Sequence, residues 1–225
     1  MSTLLLRLAA PMQAWGSDSR FEVRRTGREP TKSGVIGLLA AALGRSRADS
    51  VEDLCQLRFG VRVDQEGKLL RDFHTAHQGE KTAYVTERYY LCDAVFLVGL
   101  ESENRELLQA LEQALQTPVF SLFLGRRSCP PTLPITLGMR ESSLVDALQH
   151  EPWLASPWMQ RQCRGKRPAL RLMTDAGCGG MARGMQRDLP VTFHISARSY
   201  AYREMEEHLP VVPPEEMHDP MSELI

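Results

Sequence analysis

The order of strand-like and helix-like patterns along the first 140 residues most constrains the fold. Short apolar runs predict strands, and apolar residues recurring every three or four positions predict helices. The segments are strands at residues 3–10, 59–64, 89–100 and 135–139, and helices at residues 34–43 and 104–116. Strand, helix, strand, strand, helix, strand is the order of ferredoxin-like and RNA-recognition folds. We therefore predict an α+β, ferredoxin-like βαββαβ domain, whose sheet commonly presents one face to RNA.

A hairpin signal follows the second predicted strand, because Gln65-Glu66-Gly67 separates it from another strand-like run at residues 68–73. The polar stretch that follows predicts a protruding β-hairpin arm, a thumb at about residues 72–90. Residues 1–140 would form the main domain, and residues 141–203 a small C-terminal extension with a final strand pair at 191–202. Residues 204–225 are acidic and contain proline, so we expect a disordered tail.

Charge is unevenly distributed, although the formal net charge of the 225 residues is only −1. Residues 1–47 carry eight Lys or Arg against three acidic residues, and residues 158–203 carry nine against two. After Arg203 only acidic charges remain. Such asymmetry indicates a site for a polyanion that the total charge hides, although a set of solvated charged faces would give the same counts.

The cysteines are scattered, odd in number, and never at C-x-x-C spacing. They are Cys55, Cys92, Cys129, Cys163 and Cys178. This pattern favours reduced thiols in a cytoplasmic protein and predicts no metal site. The apolar start at residues 4–8 is too short for a signal peptide or a membrane span, so we expect no membrane contact.

The stretch from Thr26 to Gly34 is similar to a phosphate-binding loop, because Lys32 and Ser33 precede a helix. Thr26 and Thr31 stand where that motif needs its two glycines, so nucleotide hydrolysis is not expected. A glycine-containing helix start still offers free N–H groups and a favourable dipole to an anion. An ordinary core helix capped by Ser33 explains the same residues.

Aromatic and basic side chains share the loop before this helix. Trp15 and Phe21 lie among Arg20, Arg24 and Arg25. Base stacking on aromatic rings, worth about 1–3 kcal/mol per base, combines with Arg–phosphate pairing in sites for single strands. Packing of Trp15 in the core is the equally weighted alternative.

A second group of residues fits metal-independent RNA cleavage. Among His74, His77, Lys81 and Tyr84, a histidine or the tyrosine could deprotonate a 2′-hydroxyl while the lysine steadies the phosphate charge. Nothing in their spacing requires it, since polar residues on a hairpin arm also serve binding alone. Ser-His-Asp, paired-carboxylate and carboxylate–metal patterns do not emerge from the sequence. We therefore expect no catalytic residues and no cofactor.

Several motifs resemble, in order, those of the CasD family, the RAMP-type subunits of type I-E CRISPR Cascade complexes. The matching segments are residues 5–16, Arg25-Thr26-Gly27-Arg28, Pro30-Thr31-Lys32-Ser33-Gly34, Gly37-Leu38-Leu39, residues 70–75, Tyr90-Leu91-Cys92-Asp93-Ala94 and residues 124–130. Any one of them would be weak evidence. The whole series, in order and at sensible spacing, is specific.

The resemblance implies a ferredoxin-like RAMP domain with a hairpin thumb that binds the 5′ handle of the crRNA. It also implies contacts with the Cascade backbone subunit and large subunit. RNA-binding residues would be Met12, Gln13, Trp15, Arg20, Arg24, Arg25, Lys32, Ser33, His74, Arg126 and Arg127. In type I-E relatives a separate subunit cuts the RNA, so the chain would be non-catalytic. Relatives in type I-C systems cleave repeats, which keeps a repeat-specific endoribonuclease as the alternative, and a protein scaffold without RNA is a third hypothesis.

Overall fold

Two β-sheets and five helices make up the part of the chain that the computed structural model describes, residues 1–16, 23–78, 82–163, 166 and 168–214. The strands are β1 (Ser2–Ala9), β2 (Met12–Gln13), β3 (Val23–Arg24), β4 (Arg58–Gln65), β5 (Lys68–Gln78), β6 (Thr82–Cys92), β7 (Val95–Ser102), β8 (Thr136–Arg140), β9 (Leu172–Asp175), β10 (Met181–Thr192) and β11 (Ser199–Glu207). The helices are α1 (Lys32–Ala42), α2 (Glu52–Cys55), α3 (Arg105–Gln116), α4 (Leu144–His150) and α5 (Pro157–Gln162).

The larger sheet confirms the predicted ferredoxin-like fold. Its strand order is β10-β11-β9-β4-β7-β1-β8. The four strands β4, β7, β1 and β8 pair antiparallel, with β1 and β7 in the centre. In the chain, α1 lies between β1 and β4, and α3 between β7 and β8, which is the βαββαβ order. Leu4, Leu6 and Leu8 of β1 pack with the buried side chains of both helices in one core.

The opposite face of this sheet is covered, so it does not present RNA as an RNA-recognition sheet commonly would. Leu5 and Leu97 point to that face and pack against Leu144 and Leu148 of α4. The close approach depends on Gly99, because a Cβ there would lie 2.6 Å from a methyl group of Leu144. This face of the sheet is therefore not available to a nucleic acid.

The predicted hairpin at residues 65–67 is wrong. β4 pairs with β7 in the large sheet, whereas β5 pairs with β6 in a separate small sheet. The predicted strand at residues 89–100 is likewise two strands, because Asp93, with φ of 58°, ends β6 before β7 begins. The connection between β4 and β5 lies beside the connection between β6 and β7. A Cβ on Gly67 would be 2.8 Å from that of Ala94. In addition, Gln65 Nε2 donates to the Asp93 carbonyl at 2.5 Å. The chain crosses between the two sheets twice at this point.

The small sheet contains a hairpin at the position predicted for the thumb. β5 and β6 pair antiparallel from Lys68↔Cys92 to Gln78↔Thr82. β2 and β3 add to β6, antiparallel and parallel respectively. The hairpin carries several exposed apolar side chains, among them Leu69, Phe73 and Val85.

The C-terminal extension lengthens the large sheet. β9 pairs with β4, β11 with β9, and β10 with β11. Residues 204–207, which the prediction assigned to a disordered tail, are the end of β11, and Val211 is buried in a bridge to Leu170. The remainder of the predicted tail, residues 215–225, lies outside the described residues.

A buried ion network attaches these added strands to the start of α1. Asp188 Oδ2 accepts the Lys32 backbone N–H at 2.8 Å, and both carboxylate oxygens of Asp188 accept from Arg203. Asp175 receives Lys32 Nζ at 2.8 Å and Arg203 Nη1 at 2.7 Å. Buried charges are tolerated when paired in this way. The network therefore fixes α1 relative to β10 and β11.

None of the helices in the described ranges is long and apolar enough to cross a lipid bilayer.

Candidate nucleic-acid interface

An open groove of about 750 Å³ runs along α1. Its walls come from three stretches: α1 and the turn after it, the segment between α3 and β8, and the connection between β10 and β11. Four arginines line it, Arg45, Arg47, Arg127 and Arg198, together with Phe120, Phe123 and Phe193. Among the described residues no Asp or Glu lines it. Cations beside aromatic rings, without acids, form a lining suited to a single-stranded polyanion.

The floor of the groove is the small-residue side of α1. Gly34, Gly37, Ala40 and Ala41 line the groove together with Leu38, while the other large apolar residues of the helix are buried in the core. Thr31, rather than the predicted Ser33, caps the helix, because its Oγ1 accepts the Gly34 N–H at 3.2 Å. The short side chains at most of these positions bring the helix backbone close to the groove.

The wall that carries Phe120 is tied to the end of α1. The N–H groups of Val119 and Phe120 donate to the carbonyls of Ala42 and Ala41, at 3.0 and 3.2 Å. Gly44 makes room for this contact, since its φ is 76° and a Cβ there would lie 2.9 Å from Val119. Backbone hydrogen bonds thus hold an aromatic ring at the rim of the groove.

The loop at residues 124–130 positions two adjacent arginines differently. Leu124 and Cys129 are buried and joined by a backbone hydrogen bond of 2.8 Å, so the residues between them form a tight turn. Arg127 lines the groove. Arg126 instead lies over the ring of Tyr90, with Cζ 4.6 Å from the ring centroid, and donates to the Arg24 carbonyl at 2.8 Å. One loop therefore contributes cations to the groove and to the small sheet.

Not all of the groove arginines are neutralised by the protein. Arg45 is paired with Asp53 through two hydrogen bonds of 2.6 and 2.5 Å, and this pairing lowers the pKa of Asp53. Arg198 lies over the Tyr200 ring at 5.3 Å. Within the described ranges, Arg47 and Arg127 make no ion pair with a carboxylate. These two side chains give the groove uncompensated positive charge.

Three of the residues predicted to bind RNA have internal roles instead. Trp15 is only 1% exposed, and its indole N–H donates to Gln13 Oε1 at 3.0 Å. Gln13 is itself buried and donates to the carbonyl of Ala94 at 2.7 Å. Lys32 is buried and paired with Asp175. Trp15 therefore packs in the core, as the alternative interpretation of this residue predicted, because its buried ring leaves no face on which a base could stack.

The other predicted residues are at or near the surface. Ser33 and Arg127 line the groove, Arg24 and Arg25 are exposed, and Met12 is half-buried beside the core. His74, on the hairpin, has Nε2 2.5 Å from Asp72 Oδ2. Arg20 lies outside the described residues. The structure brings together Ser33 with Arg127, and Arg24 with Arg126, as two separate groups.

Sequence reasoning missed most of the groove. The unpredicted lining residues with cationic or aromatic side chains are Arg45, Arg47, Phe120, Phe123, Phe193 and Arg198. The uneven charge gave a partial signal, because Arg45 and Arg47 belong to the first basic stretch and Arg198 to the second. The phenylalanines gave no such signal, since Phe120 and Phe123 lie in the connection between α3 and β8, and Phe193 in that between β10 and β11, without a motif around them.

The fold and the groove together define a ferredoxin-like domain with an open, cationic and aromatic surface suited to binding a single strand. Within the described residues no group of three or more His, Cys, Asp or Glu side chains is placed to hold a metal ion. Residues 3–206 match the model of the CRISPR-associated protein (Cas_Cas5) family, and the chain belongs to this family.

Its similarity to characterised proteins is high. "CRISPR system Cascade subunit CasD" of Escherichia coli (strain K12) is 41% identical over 163 residues, which are 63% of this chain and 73% of that protein. A solved structure described as "Crystal structure of Cas protein" is 41% identical, with a TM-score of 0.73, and the match covers 95% of this chain and 98% of that one. A chain of a "CRISPR RNA-guided surveillance complex" is 29% identical, with a TM-score of 0.79 and coverage of 99% and 97%.

Proposed function

We propose that the chain is a CasD-type subunit of a Cascade surveillance complex, and that it binds and caps the 5′ handle of the crRNA without cutting it. The groove along α1 carries this proposal, because four arginines and three phenylalanines line it and no carboxylate does among the described residues. The similarity to CasD and to a chain of an RNA-guided surveillance complex supports the identity of the strand.

The proposed binding uses two kinds of contact. Arg47 and Arg127, which have no carboxylate partner in the described ranges, pair with phosphate oxygens of the handle, since a guanidinium matches a phosphate with two parallel hydrogen bonds. Phe120, Phe123 and Phe193 offer apolar surfaces to unpaired bases. The small residues of α1 that line the groove let the strand lie close to the helix.

The hairpin is the proposed contact with neighbouring subunits. Leu69, Phe73 and Val85 are between 59% and 62% exposed and lie on one face of the β5–β6 pair. Clustered exposed apolar side chains mark surfaces that another protein covers. We assign this face to the Cascade backbone subunit and leave the polar end of the hairpin for the RNA.

Binding of a labelled handle oligonucleotide to the purified chain tests the proposal. Arg127→Ala and Arg47→Ala should each weaken binding about tenfold, as expected for loss of one charge-assisted contact. Each should also lower the slope of log affinity against log salt by about 0.7, the value for one phosphate on a single strand. Arg161→Ala, an exposed arginine on α5 outside the groove lining, is the matched control and should bind normally.

Two outcomes would favour the alternatives. Binding that does not depend on salt, or that Arg127→Ala leaves intact, would support a protein scaffold that does not itself hold RNA. His74 and Tyr84 lie on the same face of the hairpin, because Thr86 is the partner of His74 and Tyr84 is two residues before it. Specific cleavage of repeat RNA in EDTA that His74→Ala abolishes would therefore establish the endoribonuclease.

A further inference from the structure

A second group of arginines occupies one face of the small sheet, away from the lining of the groove. Side chains alternate along a strand, so Arg88 and Tyr90 of β6 point to the same face, about 6.7 Å apart along the strand. Arg24 of β3 is the register partner of Arg88, and Arg126 lies over the Tyr90 ring. The side chains of three arginines, from three separate segments, therefore lie on this face.

The protein does not neutralise this group as it does the other face of the same hairpin. There, Arg71 pairs with Glu87, with Nε and Oε2 3.1 Å apart. On the arginine face, Asp72 is the register partner of Arg88, but its carboxylate contacts His74 at 2.5 Å. Among the described residues, Arg88 makes no ion pair with Asp72. Like charges on one face repel one another, and a bound anion would offset this repulsion.

Two donor atoms of the group are also unused. Arg88 Nε and Arg126 Nη1 are shielded from solvent, and neither has a hydrogen-bond partner within the described part of the chain. Buried donors are almost always paired, because an unpaired donor carries its full desolvation cost. Both unpaired guanidinium donors thus belong to arginines of this one face, where a bound anion would offer them acceptors.

We propose that Arg24, Arg88 and Arg126 form a phosphate-binding site that takes one phosphodiester group of the bound strand, separate from the groove along α1. The identity of the ligand as RNA rests on the proposed function, whereas the preference for a phosphate follows from the guanidinium geometry. Arg126 and Arg127 are adjacent in the loop at residues 124–130, with one in each site. A strand that leaves the groove at this loop reaches the cluster next.

A handle oligonucleotide series, with one neutral methylphosphonate linkage at each position in turn, tests the site. In the wild-type protein, neutralising the linkage held by the cluster should weaken binding about tenfold. Arg88→Gln should weaken binding of the unmodified oligonucleotide to the same extent. In this variant, neutralising that one linkage should have no further effect on affinity, whereas the effects at the other linkages should remain. Arg127→Ala should still bind more weakly when the linkage held by the cluster is neutralised, but should lose the effect of neutralising a different linkage. Equal effects of Arg88→Gln at every linkage, or none, would overturn the proposed site.

The fork geometry and the folding of the variants are tested separately. Arg88→Lys keeps the charge but loses the fork, so it should recover only part of the affinity. Because Arg88 Nε has no partner to lose among the described residues, Arg88→Gln should unfold at an unchanged or higher temperature. Arg71→Gln, on the opposite face of the hairpin, is the matched control and should bind the series as the wild type does.

A measurement without RNA separates failure of this site from failure of the proposed function. Titration with inorganic phosphate, followed by NMR of the arginine Nε–Hε groups, should shift the Arg88 signal at lower phosphate concentration than the signal of Arg161. If the handle does not bind but Arg88 responds, the phosphate site stands and the proposed function falls. If Arg88 and Arg161 respond alike, the phosphate site is refuted whatever the handle does.

Discussion

Asp188→Asn should destabilise the protein strongly, because Asp188 is the centre of the buried ion network. Its side chain is 0% exposed and accepts hydrogen bonds from the Lys32 N–H at 2.8 Å and from Arg203 Nε and Nη2 at 2.6 and 3.1 Å. Asparagine has nearly the same size, but it removes the charge and turns an NH₂ group toward these donors. Breaking a buried ion pair on one side costs about 3–5 kcal/mol.

The expected loss can be measured by thermal and urea unfolding. For a chain of this size, about 3–5 kcal/mol corresponds to a melting temperature lower by roughly 6–20 °C. Asp53→Asn is the matched control, because Asp53 also pairs with an arginine but has a side chain 45% exposed. Partly exposed pairs contribute about 0–1 kcal/mol, so this variant should unfold within a few degrees of the wild type.

The same substitution should weaken handle binding, since the network joins α1 to the strands that flank Phe193 and Arg198. A loss of stability below about 1 kcal/mol, or one equal to that of Asp53→Asn, would refute the role assigned to the network. Unchanged RNA binding in a destabilised Asp188→Asn variant would show that the groove does not depend on it.

One further substitution tests the loop at residues 124–130, and the pH dependence of Asp53→Asn tests the Arg45–Asp53 pair. Gly125→Ala should both destabilise the protein and weaken handle binding, because φ of Gly125 is 84° and a Cβ there would lie 1.6 Å from the Ala14 carbonyl oxygen. Thermal unfolding and fluorescence titration measure the two effects. Normal handle binding by this variant would contradict the positioning role of the turn. The Arg45 hydrogen bond lowers the pKa of Asp53, so the stability contributed by this carboxylate is present above its unfolded-state pKa and is lost as the pH falls through the folded value. Urea unfolding between neutral and acidic pH should therefore show a shallower acid loss in Asp53→Asn, and an identical pH profile would refute the coupling.

The predictable part of the fold was the part encoded by local periodicity. Helix α3 begins within one residue of the expected position, because Asn104 caps it through Oδ1 and the apolar stripe faces the core. The hairpin at residues 65–67 failed for a non-local reason. Gly67 does lie where one strand ends and the next begins. The pairing partner of each strand, however, comes from elsewhere in the chain, so no pattern within β4 or β5 indicates that they belong to different sheets.

The site was less predictable than the fold because its residues meet only after folding. Trp15 is surrounded by arginines in the sequence, yet its indole finds Gln13 two positions away and packs against Gly34. Lys32 lies at the start of a helix, as in a phosphate loop, but its ammonium group forms an ion pair with Asp175, which is far along the chain. Arg198 and Phe193 reach the groove from the C-terminal extension, where no local motif indicated a site.

The hairpin of β5 and β6 projects from the double crossing at Gly67 and Asp93. Its two strands of 11 residues extend roughly 35 Å from that point, at a rise of about 3.3–3.4 Å per residue. β3 pairs with β6 at Glu87 and Arg88, so roughly 17 Å of the hairpin extends beyond that contact, and a rotation of about 10° there would displace the far end by about 3 Å, close to the rise of one residue. Small changes in the pairing of β3 with β6 would thus become larger displacements at the surface that the end of the hairpin contacts.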